Sequence, residues 1–176
     1  DVYRAPLAPG WGFWLALANQ GCRMHWVDTM VCVNTVHTAG LSARHDVANS
    51  LLMLRKFFED PTVPTGIRAL SAKAYSAQHL GACLTLLDRG DLVGAEIEMK
   101  AAVDEDPTLC GAASDELVDR LASHLTQQHL IRSTQGTLDS VLRVLPVSDL
   151  ERTRLGRRIL GRMYLKRMME AFRARS

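Results

Sequence analysis

The sequence predicts a mainly α-helical protein, a multi-helix bundle of antiparallel helical hairpins with a small N-terminal β element. Three features carry this expectation. Apolar residues recur at intervals of three and four over most of the chain after residue 42. Gly, Asp and Pro punctuate those stretches where helices would start and stop. Only one short stretch alternates with the period of a strand. With 47% apolar residues among 176, the chain can bury a core without covalent staples, as one domain or a small domain plus an appendage.

Between Gly10 and Gln20, Trp11, Trp14, Leu15 and Ala18 fall at helical spacing, and Gly21 offers a left-handed stop. Tryptophans at that spacing are expected to fill core. Trp11, Trp14 and Trp26 are nevertheless candidates for an acceptor or partner surface, because aromatic faces stack on the apolar side of sugar rings. From Arg23 to His37, Val27, Thr29, Val31 and Val33 alternate with Trp26, Asp28, Met30 and Cys32, which predicts a strand or a short hairpin bent near Asp28. An isolated strand pair is marginal in water, so this element calls for a neighbour.

Ser42 is placed to cap a helix that runs to about Glu59, with Val47, Leu51, Leu54 and Phe58 on one face and Asp60-Pro61 at its end. A long helix is expected from Gly66 to Arg89, buried through Ile67, Leu70, Ala74, Ala77, Leu80, Leu84 and Leu87 and closed by Gly90. Asp91 caps the next, Leu92 to about Asp104, before Asp106-Pro107 turns the chain, and the two helices then form an antiparallel hairpin. Ser114 and Leu117 to Ile131 read as a further helix, with Asp115 and Glu116 in the first turn, where the dipole favours anions. Leu138, Val141, Leu142 and Leu145 give a short helix stopped by Pro146. Ser148 or Asp149 caps the last, with Leu155, Ile159, Met163 and Phe172 inward.

Charge is uneven although the net is only +2: from Glu151 to Ser176 nine Arg or Lys stand against two Glu, so the rest of the chain is acidic. The last helix sets Arg154, Arg158 and Arg162 at intervals of four as a basic surface suited to anionic phosphates at a membrane; no aromatic interleaving or nucleic-acid motif accompanies them, so nucleic acid is not the expected partner. Cys22, Cys32, Cys83 and Cys110 lack the Cys-x-x-Cys spacing of a zinc site and read as reduced core thiols. No apolar stretch approaches the roughly 20 residues of a membrane span. The expected location is the cytoplasm, peripheral to the inner face of the membrane where the basic arm engages it.

Two stretches resemble the end of inverting family 2 glycosyltransferases. The first is Gly10-Trp11-Gly12-Phe13-Trp14-Leu15-Ala16-Leu17-Ala18 followed by Gly21-Cys22-Arg23-Met24-His25-Trp26-Val27-Asp28; it is similar to the family's acidic-aromatic helix and the strand after it. The second, Val36-His37-Thr38-Ala39-Gly40-Leu41-Ser42, resembles the histidine-containing loop before the helical extension that many bacterial members carry, and Phe57-Phe58-Glu59-Asp60-Pro61 onward resembles that extension. The resemblance implies that residues 1–41 are the end of an α/β catalytic domain and residues 42–176 a helical C-terminal domain. It also implies that His37 helps to hold a divalent metal on the diphosphate, with Mn²⁺ or Mg²⁺ belonging to a complete parent enzyme and no cofactor to this segment.

The family's general base would fall at Gly10 or Gly12, and no carboxylate occurs between Val2 and Val27. Loss of a general base costs about 10²- to 10⁴-fold in rate. The family's donor pocket and Asp-x-Asp lie upstream of the matching stretches, and Asp104-Glu105-Asp106 repeats that pattern in letters only, at a helix end before Pro107. The segment is therefore expected to be inactive alone, with an upstream catalytic domain or a protein as partner. A second expectation comes from residues 76 to 109, where Gly90, Ala95, Ala102 and Pro107 have the spacing of a tetratricopeptide unit, which points to a noncatalytic protein-interaction module.

Overall fold

The structure is a computed structural model that describes residues 9–23, 47–111, 115–128 and 134–173. These residues form eight α-helices and one 3-10 turn, with no strand among them. The strand expected over Arg23–His37 lies beyond Arg23 outside the described residues, as do Trp26, His37, the Ser42 cap, the Ser114 cap and the expected helix end at Ile131.

The chain divides into two compact units, Asp1–Gln78 and His79–Ser176. In the first, α1 (Pro9–Asn19) ends where Gly21 takes φ +74°, the left-handed stop that the sequence calls for. Helix α2 (Val47–Glu59) buries Ser50, Met53, Leu54 and Phe57. The buried side is thus turned one residue from the expected Leu51 and Phe58, and Phe58 instead meets Phe57 and Tyr75 edge-on, at 5.2 and 5.7 Å between ring centroids. Asp60 ends the helix as expected: its carboxylate accepts from the Thr62 amide and hydroxyl, and Thr62 in turn accepts from Asn19 at 2.7 Å.

The long helix expected from Gly66 is two. A single turn, α3 (Thr65–Arg68), precedes α4 (Ser71–Arg89), and between them the Leu70 amide reaches back only three residues to the Ile67 carbonyl. Gly66 and β-branched Thr65 and Ile67 are poor helix formers, and Ile67 and Leu70, expected in the core, are exposed, so no burial holds this turn in register with the rest.

The second unit begins inside α4 and holds the larger core. Gly90 at φ +80° closes α4, and Asp91 caps α5 (Leu92–Glu105) by accepting from the Gly94 amide at 2.9 Å. Asp106 then accepts from the amide and hydroxyl of Thr108 and starts the 3-10 turn Pro107–Cys110. Helices α6 (Asp115–Gln128), α7 (Thr134–Val144) and α8 (Asp149–Arg173) complete the unit. Their inward rows, among them Leu117, Leu121, Leu125, Leu138, Val141, Leu155, Ile159 and Met163, join Leu80, Cys83, Ala95, Met99 and Ala102 in one core. Phe172, expected inward, is exposed: it sits nine residues beyond Met163, about two and a half turns, which carries it to the opposite side of the helix.

Candidate functional site

Helix α8 begins on a reciprocal cap. The Ser148 amide and hydroxyl both donate to the Glu151 carboxylate, at 3.2 and 2.7 Å, and the Glu151 amide returns to the Ser148 oxygen. These two bonds from Ser148 hold the Glu151 carboxyl below the usual carboxylate range. One turn on, Arg152 reaches the carboxylate of Asp149 and the carbonyls of Leu145 and Val147, and so ties α8 to the end of α7.

Along α8 a ladder runs to α6. Arg158 pairs with Asp115 at 2.8 Å and Arg162 with Asp119 at 2.6 Å, while the Lys166 ammonium donates to the Ser123 hydroxyl and to the Asp119 carbonyl. The three arginines of the expected basic surface therefore differ. Arg154 is exposed, whereas Arg158 and Arg162 spend much of their charge on aspartates of the neighbouring helix. The ladder was not visible in the sequence, because four-residue spacing names a helix face and not the face it meets.

Beside the ladder, Leu80, Gly81 and Leu84 of α4 and Asp119, Arg120, Ser123 and His124 of α6 line a shallow cleft of about 370 Å³. Its polar side chains have partners: His124 lies 3.2 Å from Asp88, Arg120 pairs with Glu116 at 3.0 Å, and the Ser123 hydroxyl donates to the Asp119 carbonyl. On the other side of α4, His79 meets Glu98 at 2.7 Å. Cys83 is fully buried nearby, and burial, with Glu98 adding, pushes its thiol up to about 12. Cys110 is half-buried, its thiol raised for the same first reason, and Cys22 is exposed.

Among the described residues no three His, Cys, Asp or Glu side chains gather as metal ligands would. The Asp104-Glu105-Asp106 run ends α5, with the Asp106 carboxylate committed to Thr108. Trp14 is exposed, against the expectation that it fills core, and Trp11 lies on the same helix three residues earlier. No described helix is long and apolar enough to cross a membrane.

One feature that periodicity did not single out is a second apolar row on α8. Tyr164, Leu165 and Met168 are all about half exposed or more, on the side away from Leu155, Ile159 and Met163, and Met169, about half exposed, flanks Leu165. The signal was present as a second set of three- and four-residue spacings, offset from the buried one. No family model, curated protein or solved structure matches the chain.

Proposed function

We propose that this chain is the helical C-terminal region of a protein of the family 2 glycosyltransferase kind, a binding appendage to a donor site that lies in another part of that protein. Its support is the resemblance itself together with a structural use for the acidic run that matches the donor motif by letters. Asp106 caps a 3-10 turn with its carboxylate, and Asp104 and Glu105 are the last two residues of α5, so the run lies at a chain reversal. The Gly10–Ala18 stretch that carries the resemblance is helical, as the resemblance implies, and stops at Gly21. The test is calorimetric titration of the 176-residue chain with uridine and guanosine diphosphates plus Mn²⁺. We expect no heat beyond dilution in a chain that circular dichroism shows to be helical. Micromolar binding that His37→Ala abolishes would mean that the chain holds a working donor site, and would overturn the reading.

A second reading, a noncatalytic tetratricopeptide-like module, has its own support. Ala95 and Ala102 are fully buried, Gly90 makes the left-handed turn and Pro107 opens the next, which are the tasks those positions have in such a unit. In this reading α4 and α5 are an antiparallel hairpin, closed across its width by His79 and Glu98.

A further inference from the structure

Helix α8 is apolar on two opposite sides. One side, Leu155, Ile159 and Met163, is buried in the core, and burial of that side fixes where the other points. Spacings of three and four residues put Arg154, Arg157, Gly161, Tyr164, Leu165 and Met168 on the outward side, every one of them exposed. Tyr164 and Met168 are each 58% exposed, an exposure that no core role explains.

Charge selects the occupant. The outward side carries two exposed arginines and then the apolar row, and no carboxylate stands among those six residues. A second copy packed on this side would set arginine against arginine if parallel, and arginine against Tyr164 and Met168 if antiparallel, and in neither case does the outward row supply a carboxylate to meet Arg154 and Arg157. A partner with anionic groups beside an apolar layer would satisfy both halves. A lipid surface asks only for a single side, sunk about 5–10 Å.

We propose that the outward side of α8 docks on an anionic lipid membrane. Its last turns enter the headgroup and acyl boundary through Tyr164, Leu165 and Met168, while Arg154 and Arg157 lie on the lipid phosphates. The rise of a helix separates Arg157 from Leu165 by roughly 12 Å, so the basic turns stay at phosphate level while the chain end dips, with the arginine stems laid along the surface. Tyr164, an amphipathic ring, suits the depth where water gives way to hydrocarbon. The proposal does not depend on the glycosyltransferase reading.

The experiment is co-sedimentation of the full chain with vesicles of phosphatidylcholine alone and of phosphatidylcholine with about one-third phosphatidylserine, at low and high salt. Two variants accompany it, Leu165→Asp/Met168→Asp and Arg154→Glu/Arg157→Glu. All four positions are exposed, so the fold is retained and circular dichroism verifies it. The expected result is binding to the phosphatidylserine vesicles at low salt, weakened at least tenfold on phosphatidylcholine alone and at least tenfold by either variant. Failure of the unaltered chain to sediment with anionic vesicles overturns the proposal, as does equal sedimentation of all three chains. So does elution of the chain as a dimer that Leu165→Asp/Met168→Asp converts to monomer, since a second copy would then cover this side.

Discussion

Arg162 sets its guanidinium 2.6 Å from the carboxylate of Asp119, and the 43 residues that separate them also separate Arg158 from Asp115 and Lys166 from Ser123. A constant difference, rather than a constant sum, means that α6 and α8 run in the same direction. The intervening segment, which includes α7, returns the chain to the starting end. The rungs are four residues apart on both helices, so one turn of α6 matches one turn of α8 along their length.

The central rung should be weak but measurable. Both Arg162 and Asp119 are about two-fifths exposed, so solvent screens the pair and its coupling should be about 0.5 kcal/mol and below 1 kcal/mol. A double-mutant cycle of Asp119→Ala and Arg162→Ala by urea denaturation measures it. The coupling should shrink in about 1 M NaCl, where the screening length falls to roughly 3 Å.

Acid should act on α8 through its cap. The Glu151 carboxyl is lowered first by the Ser148 hydroxyl and then by the Ser148 amide. A carboxyl lowered on folding contributes stability that is fully present above its unfolded value and is lost as pH falls through the folded one. The stability gap between the native chain and Glu151→Gln should therefore be open at neutral pH and close below the ordinary carboxylate value of 4.5. Ser148→Ala should narrow the gap at neutral pH by removing the larger of the two bonds. Denaturant unfolding of the three chains across that range measures both effects.

What was legible in the sequence was local. Gly21, Gly90, Asp91, Asp106 and Ser148 act where their chemistry puts them, because a left-handed turn or a cap is settled by a few adjacent residues. The inward row of α8 was legible for the same reason up to Met163. Beyond it, Phe172 is exposed where an inward row is expected, because apolar character alone does not distinguish a buried side from a second, outward one. Arg158 and Arg162 were legible as a stripe, but their aspartates come from a helix 43 residues earlier, and pairing across such a distance is a property of packing. The break between α3 and α4 escaped a pattern that continued through it, since periodicity reports where burial is available and not whether a neighbour supplies it.

Thiol reactivity should separate the cysteines by depth. Cys83 is fully buried with its thiol pushed up to about 12, Cys110 is half-buried, and Cys22 is exposed. With an aromatic disulfide reagent at about pH 8, peptide mapping of the three described cysteines should find Cys22 modified before Cys110, and Cys83 only at the rate of unfolding. The buried neutral thiol also sets an alkaline limb. Its contribution is intact below the ordinary value of 9.0 and declines as pH rises toward the folded value, because only the unfolded chain then ionises. Modification of Cys83 in the native chain as fast as Cys22 would contradict the burial.

The two sides of α8 should differ sharply in what truncation costs. Ile159 is fully buried among the side chains of the core, so Ile159→Ala removes apolar contact and leaves a cavity that the surrounding helices fill only in part; the cost should be about 2–5 kcal/mol. Met168 is about two and a half turns further along, on the opposite side, and mostly exposed, and Met168→Ala should change stability by no more than about 0.5 kcal/mol. Both substitutions replace a long apolar side chain with the best helix former, so helix propensity does not account for the difference and burial does. Chemical denaturation of the two variants under one condition gives the comparison. A cost at Met168 near that at Ile159 would mean that the outward row is covered in solution, and a small cost at Ile159 would mean that the core around α8 is not packed as described.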